Sequence, residues 1–180
     1  NSAYTLDDVD LLRGFDPLEL MMVEQPLAHD DIRQHATLQK KLKTPICLDE
    51  SIRQPADAMH ALDAVACGII NVKPGRVGGF TNAIAIHDLC RSRNVPVWVG
   101  GMLESGIGRG HNVALATLPG FTLPGDISES RRYWEEDIVE PEWDLSERGH
   151  IRPVDAPGIG VRPMVDRIRT EAVRKEVVES

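Results

Sequence analysis

Gly68-Ile69-Ile70-Asn71-Val72-Lys73 is a short β-prone run between a turn glycine and a lysine, followed at once by Pro74-Gly75. A run of this length, apolar and bounded by turn residues, fits a strand buried in a parallel sheet. Working outward, the pattern recurs. Upstream, Pro45-Ile46-Cys47-Leu48 ends at Asp49, and Leu20-Met21-Met22-Val23 ends at Glu24. Downstream, Val95-Pro96-Val97-Trp98-Val99 ends at Gly100-Gly101, and Phe121-Thr122-Leu123-Pro124 ends at Gly125-Asp126. From Glu24 to Asp49, Lys73, Gly100 and Asp126 the intervals are 25, 24, 27 and 26 residues. A strand, a helix and two short loops need about that much chain.

The segments between these runs read as helices. One is expected from about Asp30 to Leu42, with Asp30 or Asp31 near its start, and an earlier one begins at Thr5-Leu6-Asp7-Asp8 and ends near Gly14. Pro55 suits a first helical turn, and Ala58, Met59, Leu62, Val65 and Ala66 form an apolar stripe. Ala83, Ile84, His87 and Cys90 form the next, and Val113, Ala114, Ala116, Thr117 and Leu118 a third. The class is therefore α/β. Spacing alone leaves open whether five βα units make an open doubly wound sheet or part of a closed barrel, which would need three more strands upstream. Because the chain opens on Asn1-Ser2-Ala3-Tyr4, without Met and close to a helix start, such an upstream part is expected.

After Asp126 the character changes. Residues 129–163 are rich in Glu, Arg, Pro and Gly, with strand-like pieces at Asp137-Ile138-Val139 and His150-Ile151-Arg152. Residues 164–178 return to a charged helix with Val165, Ile168, Ala172 and Val173 as its stripe and a solvated opposite face. The predicted organisation is residues 1–128 as a partial (β/α) barrel and residues 129–180 as a C-terminal extension.

Bulk properties exclude several functions. The 180 residues suffice for a real core, and 42% hydrophobic with 27% charged residues is the balance of a soluble globular protein. A net charge of −8 argues against non-specific binding to nucleic acid or anionic membrane. No apolar run reaches the roughly 18 residues of a membrane span, and no basic region followed by an apolar core marks a secretory signal. Cys47, Cys67 and Cys90 lie in apolar segments and read as buried free thiols, which suits a reducing cytoplasm. The six histidines show no i, i+4 pair and no paired cysteines, so they read as packing and surface residues rather than zinc ligands. Trp134 and Trp143 read as packing anchors.

In a barrel the C-terminal strand ends converge on one face. That face would present Glu24, Asp49 and Lys73 from three consecutive strands. Alone, each has an ordinary reading: a helix cap, a helix N-terminus, an exposed turn lysine. Together, two carboxylates suit a hard divalent cation with oxygen ligands such as Mg²⁺, and a lysine beside it suits proton transfer. A cation that holds a carboxylate and stabilises the enediolate formed on loss of the α proton is the equipment of enolase-type sites. Gly75-Arg76-Val77-Gly78-Gly79 lacks the spacing of a phosphate loop and reads as helix-turn packing. Gly106-Ile107-Gly108-Arg109, at a helix start, reads either as an anion site for a substrate carboxylate or as a plain cap.

Glu24-Gln25-Pro26-Leu27, Leu48-Asp49-Glu50-Ser51 and Asn71-Val72-Lys73-Pro74-Gly75-Arg76-Val77-Gly78-Gly79 resemble consecutive strand-end motifs of the muconate-lactonizing subgroup of the enolase superfamily. Trp98–Arg109, Leu123–Ser128 and Pro157–Val161 are similar to the o-succinylbenzoate synthases that are also N-acylamino acid (N-succinylamino acid) racemases. The resemblance spans nearly the whole chain. It implies strands four to eight of a TIM-like barrel. It makes Glu24 and Asp49 the second and third ligands of Mg²⁺ (Mn²⁺ as substitute) and Lys73 the acid/base lysine. Glu50 becomes a neighbouring carboxylate, and Asn1, Gly101, Met102, Leu103, Asp126 and Ile127 become substrate-facing residues.

The resemblance places the first ligand Asp two positions before Asn1. A Lys-x-Lys motif and an N-terminal capping domain would lie further upstream, so the chain by itself is expected to be inactive. The implied activity is dehydration to o-succinylbenzoate in menaquinone biosynthesis, N-acylamino acid racemisation, or both. A muconate cycloisomerase, a dipeptide epimerase and a non-catalytic fragment are the alternatives. The implied partner is a small-molecule carboxylate, and a homo-oligomer is expected of the full-length protein.

Overall fold

The computed structural model describes residues 1–176. Two compact units divide the chain. One takes Asn1–Gly100 and Leu118–Asp126, the other Gly101–Thr117 and the chain from Ile127 onward.

In the first unit, Thr5 caps a 3-10 turn at Leu6–Asp8 reciprocally with Asp8, and helix α1 (Val9–Arg13) follows. Strand β1 is only Val23–Glu24, so the apolar run before it is largely outside the sheet, and Leu20 and Met21 are exposed. Helix α2 (Ile32–Gln39) starts where the Asp31 carboxylate accepts from Gln34 N at 2.9 Å, and it is shorter at both ends than its sequence pattern. Strand β2 (Ile46–Leu48), helix α3 (Pro55–Asp63, with Pro55 in its first turn) and strand β3 (Ile69–Val72) come next. A short helix α4 (Pro74–Val77), helix α5 (Phe80–Ser92) and strand β4 (Val97–Val99) complete the series.

The four strands pair in parallel in the order β1-β2-β3-β4, each beside its predecessor. That order is the one a (β/α)-barrel segment has. The expected fifth strand is reduced to two isolated parallel bridges, Val97↔Phe121 and Gly100↔Asp126. Pro124, inside that run, has no N–H to give to a ladder. The core between strands and helices comprises Ile46, Leu48, Ile70, Val72 and Val97 with Ala58, Ala61, Leu62, Ala83, Ile86 and Cys90. Helix faces differ in detail from the predicted stripes. On α3 the small Ala58 and Ala61 are buried while Met59 is exposed. Val65, past the helix end at φ 54°, turns outward. On α5, Ile86 rather than Ile84 faces inward.

Two buried histidines are seated by backbone hydrogen bonds. His35 Nδ1 donates to Asp31 O at 2.8 Å, and its Nε2 accepts from Leu27 N at 3.3 Å. His87 Nε2 accepts from Gly120 N at 2.9 Å while its ring stacks on Phe121, tying the 118–126 segment to α5. Each of the three cysteines is buried and outside any disulfide, as their apolar settings predict. Burial pushes the thiols of Cys67 and Cys90 up to about 12, which makes both inert.

In the second unit, helix α6 (Gly106–Ala116) buries Val113 and Leu115, while Ala114 and Thr117 are exposed. The antiparallel strands β5 (Val139–Glu140) and β6 (Arg162–Pro163) pair with each other, and residues 150–152 form no strand. Val113, Val139 and Trp143 make the core, with Ile107, Ile127, Ile151 and Val161 against it. Trp143 is the anchor expected of it, its Nε1 donating to Gly106 O at 2.9 Å, whereas Trp134 is 41% exposed. The final helix α7 spans only Val165–Glu171. Ala172 is extended, Val173 is fully exposed, and residues 177 and 178 of the expected helix lie outside the described residues.

The anion at the start of α6 is the protein's own. Gly106 N donates to Asp137 Oδ1 at 2.8 Å, Ser130 Oγ to Oδ2 at 2.6 Å, and Arg109 Nη1 lies 3.4 Å from Oδ2. Asp137 and Arg109 are both 1% exposed, so the substrate-anion reading of Gly106–Arg109 is overturned. Among the described residues no helix is long and apolar enough to cross a membrane.

Two outcomes follow from these seats. Burial pulls the His35 imidazole below its ordinary range, although the Asp31 carbonyl and carboxylate oppose the shift. An unfolded imidazole takes up a proton near pH 6.5 while the folded one still resists, so stability is full above about 6.5 and falls as pH drops below it. Urea unfolding at several pH values is expected to show a shallower acid loss for His35→Gln, and identical slopes would contradict the seat. Asp137→Ala leaves Arg109 buried without its counter-charge and is expected to cost about 3–5 kcal/mol in the same assay. A change under about 1 kcal/mol would contradict the buried pair.

Candidate active site

Parallel pairing sets the ends of β1, β2 and β3 side by side. Glu24 closes β1, Asp49 follows β2 and Lys73 follows β3. With Asn1, Gln25, Glu50, Asn71, Trp98 and Asp126 they line one cavity of about 220 Å³. Glu24 is exposed, whereas Asp49 is 4% exposed and Asn71 1%.

The charges are arranged around Asp49. Lys73 Nζ donates to Asp49 Oδ2 at 3.0 Å, and the Arg76 guanidinium is in ion-pair contact with Oδ1. Arg76 is held from α4 by bonds to backbone oxygens, Nε to Ile52 O at 3.1 Å and Nη2 to Asn71 O at 3.3 Å. A buried carboxylate needs such compensation, because its desolvation costs several kcal/mol. Asn71 Nδ2 donates to Glu24 Oε1 at 2.7 Å, and Asn1 Nδ2 to Glu50 Oε1 at 3.0 Å. Gly100 makes room for the lysine, since a Cβ there would stand 2.5 Å from Lys73 Cε.

The donor set fits a hard cation. Asp49 Oδ1, Glu50 Oε2 and Asn71 Oδ1 are buried oxygens that no hydrogen bond reaches, although Oδ1 of Asp49 has its ionic contact with Arg76. Unsatisfied buried oxygens are rare and call for a polar or ionic partner. Among the described residues no three His, Cys, Asp or Glu side chains are placed to form a metal cage by themselves.

Of the residues singled out by sequence, Asn1, Glu24, Asp49, Glu50, Lys73 and Asp126 therefore share one cavity. Gly101, Met102, Leu103 and Ile127 belong to the second unit. There Met102 and Leu103 are 53% and 72% exposed, and Ile127 packs on the Val113–Val139–Trp143 core. Sequence reading gave no role to Asn71, Arg76 and Gln25. Asn71 was findable, because it sits two positions before Lys73 and strand side chains alternate with period two. Arg76, three residues past Lys73 on α4, had only the turn signal of Pro74-Gly75.

The profile described as Enolase C-terminal domain-like matches residues 1–167. The o-succinylbenzoate synthase of Geobacillus stearothermophilus is 58% identical over 171 residues, covering 95% of this chain and 45% of that protein. An N-succinylamino acid racemase of an Amycolatopsis species is 48% identical, covering 96% of this chain and 47% of that protein. A crystal structure of an enolase-superfamily member from Listeria innocua superposes with a TM-score of 0.91 at 45% identity, covering 94% of this chain and 46% of that one. The chain thus spans somewhat under half the length of the curated relatives it matches. With this match and the strand-end carboxylates and lysine in one cavity, the chain belongs to the enolase C-terminal domain-like family of the enolase superfamily.

Proposed function

We propose that the chain is the catalytic C-terminal part of an enzyme that removes the proton α to a carboxylate, of the o-succinylbenzoate synthase and N-succinylamino acid racemase type. The single observation that carries this reading is the shared cavity of Glu24, Asp49 and Lys73 at the ends of three consecutive parallel strands. In this reading β1 to β4 and the 121–126 segment are strands four to eight of a (β/α) barrel completed by a longer chain.

Glu24 and Asp49 would hold Mg²⁺, with Mn²⁺ as a substitute, together with the upstream Asp that the strand motifs imply. A divalent cation there neutralises the substrate carboxylate and the negative charge that grows as the α proton leaves. Lys73 Nζ, 3.0 Å from Asp49 Oδ2, is the group that holds or moves the proton. In racemisation it takes the proton from, or returns it to, one face of the α carbon, and an upstream lysine serves the other. In dehydration the upstream lysine is the base, and the Lys73 charge stabilises the anion that results. Asn71 and Arg76 orient the carboxylates, while Asn1 and Asp126 face the substrate. The substrate is a small carboxylate, and three buried thiols suit the reducing cytoplasm in which such a substrate would be met.

Lys73→Ala in the full-length protein is expected to lower both o-succinylbenzoate formation and N-succinylamino acid racemisation by about 10²–10⁴-fold or more. Retained racemase turnover would overturn the assignment. Steady-state kinetics on succinylated amino acids, muconate and dipeptides sets the substrate class, and a preference for muconate or dipeptides would redirect it within the superfamily.

A further inference from the structure

Glu24 is followed by Gln25, which is fully buried and sits at φ 38°. A positive φ is uncommon for a residue with a side chain and persists only where the surroundings fix it. Here the surroundings are hydrogen bonds. Gln25 N donates to Cys47 O at 2.8 Å and its carbonyl accepts from Ser2 N at 2.8 Å. Its side-chain oxygen accepts from two backbone amides of the neighbouring strand end, Asp49 N at 3.0 Å and Ser51 N at 3.2 Å. Its amide nitrogen donates to Ser51 Oγ at 2.9 Å and to Leu27 O at 3.2 Å, and lies 3.3 Å from the bare Nε2 of His35. His35 closes the set from behind, on α2.

The placement matters because β1 is only two residues long and, among the described residues, pairs with β2 alone. Such a strand end holds its spacing poorly by ladder bonds, yet a small divalent cation demands near-ideal oxygen positions. Gln25 links the two strand ends. One of its ends is covalently next to Glu24, and the other grips the backbone N–H of Asp49. We propose that Gln25 is a positioning residue, a buried amide brace that fixes the separation of Glu24 and Asp49 and so sets the affinity of the site for a divalent cation. The inference rests on the reading of those two carboxylates as metal ligands. A merely structural glutamine would stabilise the loop without tuning metal affinity, and the two roles separate experimentally.

The test is a titration of Mn²⁺ into the full-length protein, followed by electron paramagnetic resonance. Thermal unfolding of each variant is run in parallel, and binding is measured well below every midpoint. Gln25→Met keeps the length and removes the amide. It is expected to weaken the Mn²⁺ Kd by about tenfold or more, the usual consequence of removing a group that orients a ligand. Ser51→Ala removes one partner of the brace and is expected to act in the same direction by less. It decides the question alone if Gln25→Met does not fold. An unchanged Kd in folded Gln25→Met with a lowered midpoint, or in Ser51→Ala as the deciding variant, would overturn the brace. Asp49→Asn separates the two levels. If the full-length protein takes up no Mn²⁺, or takes it up regardless of Asp49→Asn, the metal reading itself fails and the brace falls with it.

Discussion

Neighbouring strands of a parallel sheet lie about 4.8 Å apart, and everything chemical in this molecule follows from that spacing. The register Glu24↔Cys47 and Leu48↔Ile70 brings the last residues of three strands to one edge, so residues about 25 positions apart in sequence become neighbours. The hydrophobic work is done by Ile46, Leu48, Ile70 and Val72, which are buried as strand residues. The polar residues need only follow the last buried position to face the cavity. The fold thus makes a site without any local motif that encloses a ligand.

Such a site gathers charge in a place with little water, and the structure shows how the cost is managed. Asp49 is buried between Lys73 and Arg76, Glu24 is exposed and tied to Asn71, and Glu50 is tied to Asn1. Three oxygens stay without hydrogen bonds in this arrangement. A cation entering there would compete with Lys73 and Arg76 for the Asp49 carboxylate.

Much of this was legible in the sequence. Repeat length located the four strands that pair in parallel, and the residues after three of those apolar runs gave Glu24, Asp49 and Lys73. What escaped depended on contacts between segments far apart in the chain. The α6 start looked open to an anion because Asp137, its partner, lies 31 residues away from Gly106. Arg76 and Gln25 act through backbone oxygens and amides, which carry no sequence signature. The inward faces of α3 and α5 were read correctly at Ala58, Leu62 and Ala66 and at Ala83, His87 and Cys90, while Met59, Val65 and Ile84 turn outward and Ala61 and Ile86 are buried. The fifth strand failed as a ladder because Pro124 lies within it.

The central claim is that Glu24 and Asp49 face a common cation beside Lys73. Anomalous diffraction from crystals of the full-length protein grown with Mn²⁺ is the direct test. A single strong peak is expected between the two carboxylates, with an oxygen of each at about 2.1–2.3 Å and Lys73 Nζ nearby but not bonded to the metal. A peak elsewhere on the surface, or a cavity in which Lys73 keeps both carboxylates from the ion, would contradict it.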